Sequence, residues 1–162
     1  MRKTSVVLGF ALAAALAVAC SSSSSSGPTT YSILGNCTFA GLPIENPSPV
    51  TGPCSLGPAG QFTLNASIGI QLGAQGQVPV DFAADWTQGT SVLHSQFAGY
   101  AVVPPLSELA NGVPLVGGFI YDGGTGPFAQ AYGAALVDGG VSFNAAGTSA
   151  TAQLSLTGAL AY

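Results

Sequence analysis

The feature that most constrains this chain is a strict period-two alternation of apolar and polar residues. From 61 to 72 the even positions are Phe62, Leu64, Ala66, Ile68, Ile70 and Leu72, and the odd ones are Gln61, Thr63, Asn65, Ser67, Gly69 and Gln71. A strand turns successive side chains to opposite faces, so this segment reads as a half-buried strand with one wet face. Val78, Val80, Phe82, Ala84 and Trp86 repeat the rhythm with Asp81 and Asp85 on the other face. Ala150, Ala152, Leu154, Leu156, Leu160 and Tyr162 repeat it at the C-terminus. Weaker strands are expected near 31–40, 90–103, 115–121, 127–137 and 139–145, with turns at Gln88-Gly89, Asp122-Gly123-Gly124 and Asp138-Gly139-Gly140. One helical turn is expected at 105–110, before Asn111-Gly112. About eight strands with hardly any helix predict an all-β domain, an eight-stranded antiparallel barrel whose closure removes exposed edges. A two-sheet β-sandwich is the alternative.

The alternation begins only after residue 30, and what precedes it has a different character. Arg2 and Lys3 form a positive head, followed by an apolar run from Val6 to Ala19 and then Cys20. The run is shorter than the ~20 apolar residues a membrane-spanning helix needs, and it fits the core of a cleaved signal peptide. Leu16-Ala17-Val18-Ala19-Cys20 resembles the bacterial lipobox, although that motif prefers leucine where Ala17 stands. The resemblance implies that Cys20 is acylated and becomes the mature N-terminus; an ordinary signal cut near this point is the other reading. Ser21–Ser26, with Gly27 and Pro28, cannot bury apolar surface and reads as a tether reaching roughly 18 Å over ten residues. Ser21, rather than aspartate, after the cysteine resembles an outer-membrane address. The expected organisation is therefore a signal peptide at 1–19, a lipidated cysteine and tether at 20–30, and one β-domain at 31–162.

Charge narrows the chemistry. The sequence has two cations and six carboxylates. Both cations, Arg2 and Lys3, lie in the signal, so the remaining chain carries no lysine or arginine. Nothing fixed is left to neutralise phosphates, which argues against nucleic acid as a partner. Lysine Schiff-base chemistry and arginine clamps on anionic substrates are excluded with it. With Cys20 assigned to lipid, Cys37 and Cys54 remain, and two thiols in an oxidising compartment are expected to pair. They would close a proline-rich loop with little secondary structure, a cross-link worth about 3 kcal/mol for a loop near 15 residues. A metal-binding or reactive pair is the rival reading, but the spacing is too wide for CxxC and too poor in histidine for zinc.

The most distinctive stretch is Ile120-Tyr-Asp-Gly-Gly-Thr-Gly-Pro-Phe-Ala-Gln-Ala-Tyr-Gly133. Its physical reading is a hairpin whose glycines accept positive φ, followed by a strand starting at Phe128. It is similar to the GG(T/S)G-x-F-x-x-A-x-G segment of the allene oxide cyclase and dirigent β-barrels, through Gly123, Gly124, Thr125, Gly126, Phe128, Ala131 and Gly133. The close match covers 14 residues of the chain, 120–133. It implies an eight-stranded barrel of that kind. Tyr132 stands where plant dirigent proteins usually carry arginine, so the likeness bears on fold more than on activity.

Few residues offer chemistry. His94 is the only histidine, and a Ser/His/Asp triad would need it with Asp85 or Asp81 as orienter. No G-x-S-x-G elbow supplies the nucleophile. Asp81 and Asp85 lie on one face, roughly 13 Å apart at ~3.3 Å per residue, too far for a glycosidase pair. A calcium site from Asp122 and Asp138 has no EF-hand or nonapeptide repeat behind it, and no metal or other cofactor is expected.

Three readings follow. The first is an exported, lipid-anchored, non-catalytic binding or structural module of the cell envelope, attached through lipid to the outer membrane and holding at most a small hydrophobic ligand in a pocket. The second is a cyclase- or dirigent-type enzyme acting on a hydrophobic small molecule, its pocket drawing on His94, Asp81, Asp85 or Tyr100. The third is a small outer-membrane barrel, suggested by the terminal alternation ending in Tyr162 and by neutral wet faces suited to a lumen. The absence of a catalytic motif favours the first. Oligomeric state is left open.

Overall fold

A computed structural model describes residues 27–43, 46–69 and 76–162. The lipidation site at Cys20, the signal peptide and most of the tether lie outside the described residues, as does the end of the first expected strand at Ile70 and Leu72. Eight antiparallel strands form one closed barrel: β1 (Thr30–Pro43), β2 (Ser48–Ser55), β3 (Gln61–Ile68), β4 (Gly76–Gln88), β5 (Ser91–Val103), β6 (Val113–Gly124), β7 (Tyr132–Phe143) and β8 (Ser149–Ala161). Each strand pairs with its neighbours in sequence, and β8 returns to β1. The barrel is the expected fold, and the β-sandwich is set aside by its closure.

Closure is unequal around the wall. β1 and β8 pair at twelve positions and β4 and β5 at thirteen, whereas β1 and β2 pair at only two, Asn36↔Ser55 and Cys37↔Cys54. That second pair is the disulfide, with its Cα atoms 4.1 Å apart. The expected bond is present, but the segment it closes is not the loop anticipated. β1 runs on to Pro43, and β2 takes up Pro49 and Pro53 while pairing with β3 at eight positions. Proline removes a ladder donor and is tolerated where a strand lacks a full partner. The two prolines share one parity, and the pairing shortfall falls on the β1 side. The covalent bond therefore staples the thinnest seam of the barrel.

The second correction concerns Asp138-Gly139-Gly140, expected as a turn between two strands. It runs straight through the middle of β7. A Cβ at Gly139 would collide with the Gln153 carbonyl on β8, so this glycine serves close strand approach rather than a reversal. The expected short helical turn is present as a 3-10 segment, Leu106–Asn111.

Inward positions are apolar and filled by rings. Trp86, Phe97, Phe119, Tyr121 and Phe128 are almost completely buried. Phe82 stacks on Phe97 with centroids 4.9 Å apart, and Phe119 meets Phe97 at 5.1 Å and Trp86 at 5.0 Å. Such offset and edge-to-face pairs add to the free energy of area burial. Outward positions on β2, β3 and β4 are polar, among them Thr51, Thr63, Asn65, Asp81 and Asp85. A lipid-embedded barrel needs an apolar outer band around a polar interior; this one has the reverse on that wall. The wet faces expected to suit a lumen are the outside.

Candidate functional site

One end of the barrel is stoppered by the glycine-rich segment. Gly123 and Gly126 have φ of 71° and 60°, where a side chain would be strained. Between them the Thr125 N–H donates to the Val92 carbonyl at 2.7 Å, and the Val92 N–H donates back to Thr125 Oγ1 at 2.9 Å. This fixes a 3-10 turn, Gly126–Phe128, that drives the Phe128 ring into the barrel end. There the ring meets Tyr162 at 4.8 Å and Phe62 at 5.6 Å. Ala131 is buried beneath the turn, and a Cβ at Gly124 or Gly133 would collide with the Val92 or Ala159 carbonyl. The strand expected from Phe128 begins instead at Tyr132. Every residue of the motif thus serves the architecture, and the segment is a plug.

Behind the plug lies a small polar network. Trp86 Nε1 donates to Ser95 Oγ at 2.8 Å, and Ser95 Oγ donates to the Ala84 carbonyl at 3.3 Å. Tyr121, opposite Ser95 in register, has a buried hydroxyl without a hydrogen-bond partner. Burial pushes its phenol well above the usual tyrosine range. At the opposite end the apolar side chains stay half-open: Leu42, Ile68, Val80, Leu115 and Val141 pack against the core from there.

The four residues considered for a pocket all face outward. His94 and Asp85 are paired, with Nδ1 donating to Oδ1 at 2.7 Å, and their side chains are 49% and 58% exposed. The sequence offers Asp85 or Asp81 as a partner for His94 without choosing between them, and it gives no sign that a bulge sets His94 against two residues of β6, Asp122 and Gly123. Besides Asp85 and Asp122, the outward neighbours of His94 are Val92 and Gln96 on its own strand and Ala83 and Thr87 on β4; none of these is a serine or a cysteine. Asp81 lies further down β4, and Tyr100 is two strand positions beyond Ala98 on β5. The structure joins Asp85 to His94 and leaves Asp81 and Tyr100 apart from them. Among the described residues no group of three or more His, Cys, Asp or Glu side chains could hold a metal ion.

Two outer-surface features were missed from sequence. A groove of about 600 Å³ runs over β1, β8 and β7. Asn36, Thr38, Gln153, Ser155, Ser142 and Asn111 line it, above a floor of Gly139 and Gly140. Among the described residues no charged side chain lines it, and its chemistry suits an uncharged hydrogen-bonding ligand. The second feature is apolar. Leu34 (72% exposed), Leu136 (73%), Ile120 (63%) and Tyr132 (58%) stand on the outside of β1, β7 and β6. The alternation of these strands hid them, because both of their faces carry apolar residues.

No family model, curated protein or solved structure matches the chain. The glycine-rich segment therefore rests on its own geometry.

Proposed function

We propose that this chain is a lipid-anchored module of the bacterial cell envelope whose barrel binds or scaffolds at its outer surface rather than catalysing a reaction. The observation that carries export is the Cys37–Cys54 disulfide, a bond that forms and persists in oxidising compartments. The basic head, apolar run and lipobox-like Cys20 add the signal and the attachment point. A non-catalytic role is supported by the ring-filled centre and by the His94–Asp85 pair, which has no nucleophile beside it. Within this reading the neutral groove over β7 and β8 is the binding surface for a polar ligand. A small hydrophobic ligand would sit at the half-open end formed by Leu42, Val80 and Leu115.

The test is expression of the full chain in a bacterium, followed by membrane fractionation and intact-mass measurement. The expected product begins at Cys20, carries diacylglyceryl on its sulfur and partitions with membranes, while Cys20→Ser abolishes the modification. A mature chain with an unmodified N-terminus, released freely from cells, would overturn the proposal.

A further inference from the structure

The exposed apolar residues form one coherent patch, and its position relative to the chain entrance gives it a meaning. In the register of the wall, Leu34 stands opposite Thr157, Thr157 opposite Leu136, Leu136 opposite Gly118, and Gly118 opposite Ala98. One step toward the plugged end, Ala159, Ala134 and Ile120 follow in line, and one step further stands Tyr132, opposite Ala161. None of the residues just named is charged; Asp122 is the partner of Tyr132 on β6, Asp138 follows Leu136 one step along β7, and Ser32 and Gln96 close the Ala159 and Ile120 row with neutral polar groups. Ordinary soluble surfaces scatter single apolar side chains, whereas a contiguous patch marks a contact.

The chain enters beside this patch. Thr30 pairs with Ala161, and Thr29 and Tyr162 exchange backbone hydrogen bonds of 2.9 and 3.1 Å. Tyr132 pairs with the same Ala161. Whatever anchors the N-terminal segment therefore holds its surface next to Tyr132, Ile120 and Leu34 rather than next to the polar wall of β2–β4.

We infer that this patch is the face by which the barrel rests on the lipid bilayer, with Tyr132 at the headgroup level and Leu34, Ile120 and Leu136 against the acyl boundary. The inference rests on the anchored reading for its reach: ten residues separate Cys20 from Thr30, a span of roughly 18 Å. A short tether gives its ends an effective concentration near millimolar, so an intrinsically weak face suffices once the anchor is in place. Size favours a bilayer over a second copy of the chain. The patch spans five strands, roughly 19 Å at ~4.8 Å spacing, and four residues along β7, roughly 13 Å at ~3.3 Å each. That footprint of about 250 Å² is small beside the ~800 Å² per partner of a standard protein interface. With no lysine or arginine after residue 3 the contact has no electrostatic attraction to anionic lipid, so zwitterionic lipid is the surface it fits.

The experiment places an environment-sensitive fluorophore on Leu136→Cys, and as control on Ala83→Cys of the polar wall, with Cys37 and Cys54 paired and Cys20 either acylated or replaced by serine. Lipid-anchored protein is reconstituted into phosphatidylcholine vesicles, and Cys20→Ser protein is mixed with the same vesicles at increasing lipid. The expected result is a several-fold rise in emission and quenching by nitroxide-labelled lipid at 136 but not at 83, with the unanchored protein following only at high lipid. Water-like emission at 136 in both preparations overturns the bilayer face. So does shielding of 136 in vesicle-free protein that rises with protein concentration alongside a doubled mass, which would assign the patch to a second copy. A mature chain found without lipid, while 136 still enters vesicles at high lipid, overturns the anchor and upholds the face.

Discussion

Replacing Cys37 and Cys54 together by alanine should lower the free energy of unfolding by about 3 kcal/mol. The cysteines are 17 residues apart, and a cross-link closing a loop of that length removes about that much chain entropy from the unfolded state at 25 °C. Both residues are 1% exposed, so the deleted sulfurs leave a small cavity whose cost has the same sign. At a urea slope near 2 kcal/mol/M the midpoint should fall by roughly 1.5 M. Emission from Trp86, the only tryptophan, reports the transition. The loss should also have an address. β1 keeps its twelve pairings with β8, whereas β2 is held to β1 by only two ladder pairs, Asn36↔Ser55 and Cys37↔Cys54, and by the Ser48 hydroxyl donating to the Pro43 carbonyl at 2.8 Å. Amide exchange should accelerate first in β2 and the adjoining part of β3, while β4 to β8 stay protected. An unchanged midpoint, or exchange that rises uniformly around the barrel, would refute the assignment of the disulfide to a weak seam.

Other substitutions test the core and the plug. Ser95→Ala strands the Trp86 indole N–H in the interior and should cost about 1–3 kcal/mol in urea unfolding, the range for an unpaired buried donor. Tyr121→Phe removes a hydroxyl that has no partner and should leave stability unchanged or raise it by about 1 kcal/mol. The same variant tests a pH effect. The folded-state phenol is raised, so its contribution is intact below the unfolded tyrosine value of about 10 and falls as the pH climbs above it. Tyr121→Phe should therefore lose less stability than the parent between neutral pH and pH 11. Gly158→Ala should be among the most damaging changes in the molecule, because its Cβ would strike the Ala134 carbonyl on β7; failure to fold, or a loss above about 3 kcal/mol, is expected.

How much of this was legible in the sequence depends on what each residue was there to do. Where one face meets the core and the other meets water, alternation is a direct record of the fold, and β3, β4 and β8 were readable for that reason. Pro49 and Pro53 normally interrupt a ladder, so the sequence points to a loop where β2 stands, and the thin pairing to β1 leaves no trace in composition. Asp138-Gly139-Gly140 has turn chemistry and so divides β7 in the sequence, whereas Gly139 is needed for the approach of β8. The disulfide followed from compartment logic, although its position across two adjacent strands did not. Along β5 both faces are partly apolar, so the pattern does not orient His94 and Tyr100; burial of Leu93, Ser95 and Phe97 turns them outward. The same ambiguity concealed the patch of Leu34, Ile120 and Leu136.

Trp86 offers the most direct measurement of whether the barrel is a filled module with its binding surfaces on the outside. Its indole is fully buried between Phe119 and Tyr121, with its N–H committed to Ser95. Acrylamide quenching of native protein should leave its emission blue-shifted and inaccessible, and a panel of small hydrophobic ligands should not move it. Red-shifted emission that acrylamide quenches readily, or that a ligand shifts, would mean a hollow interior open to solvent and would contradict the account.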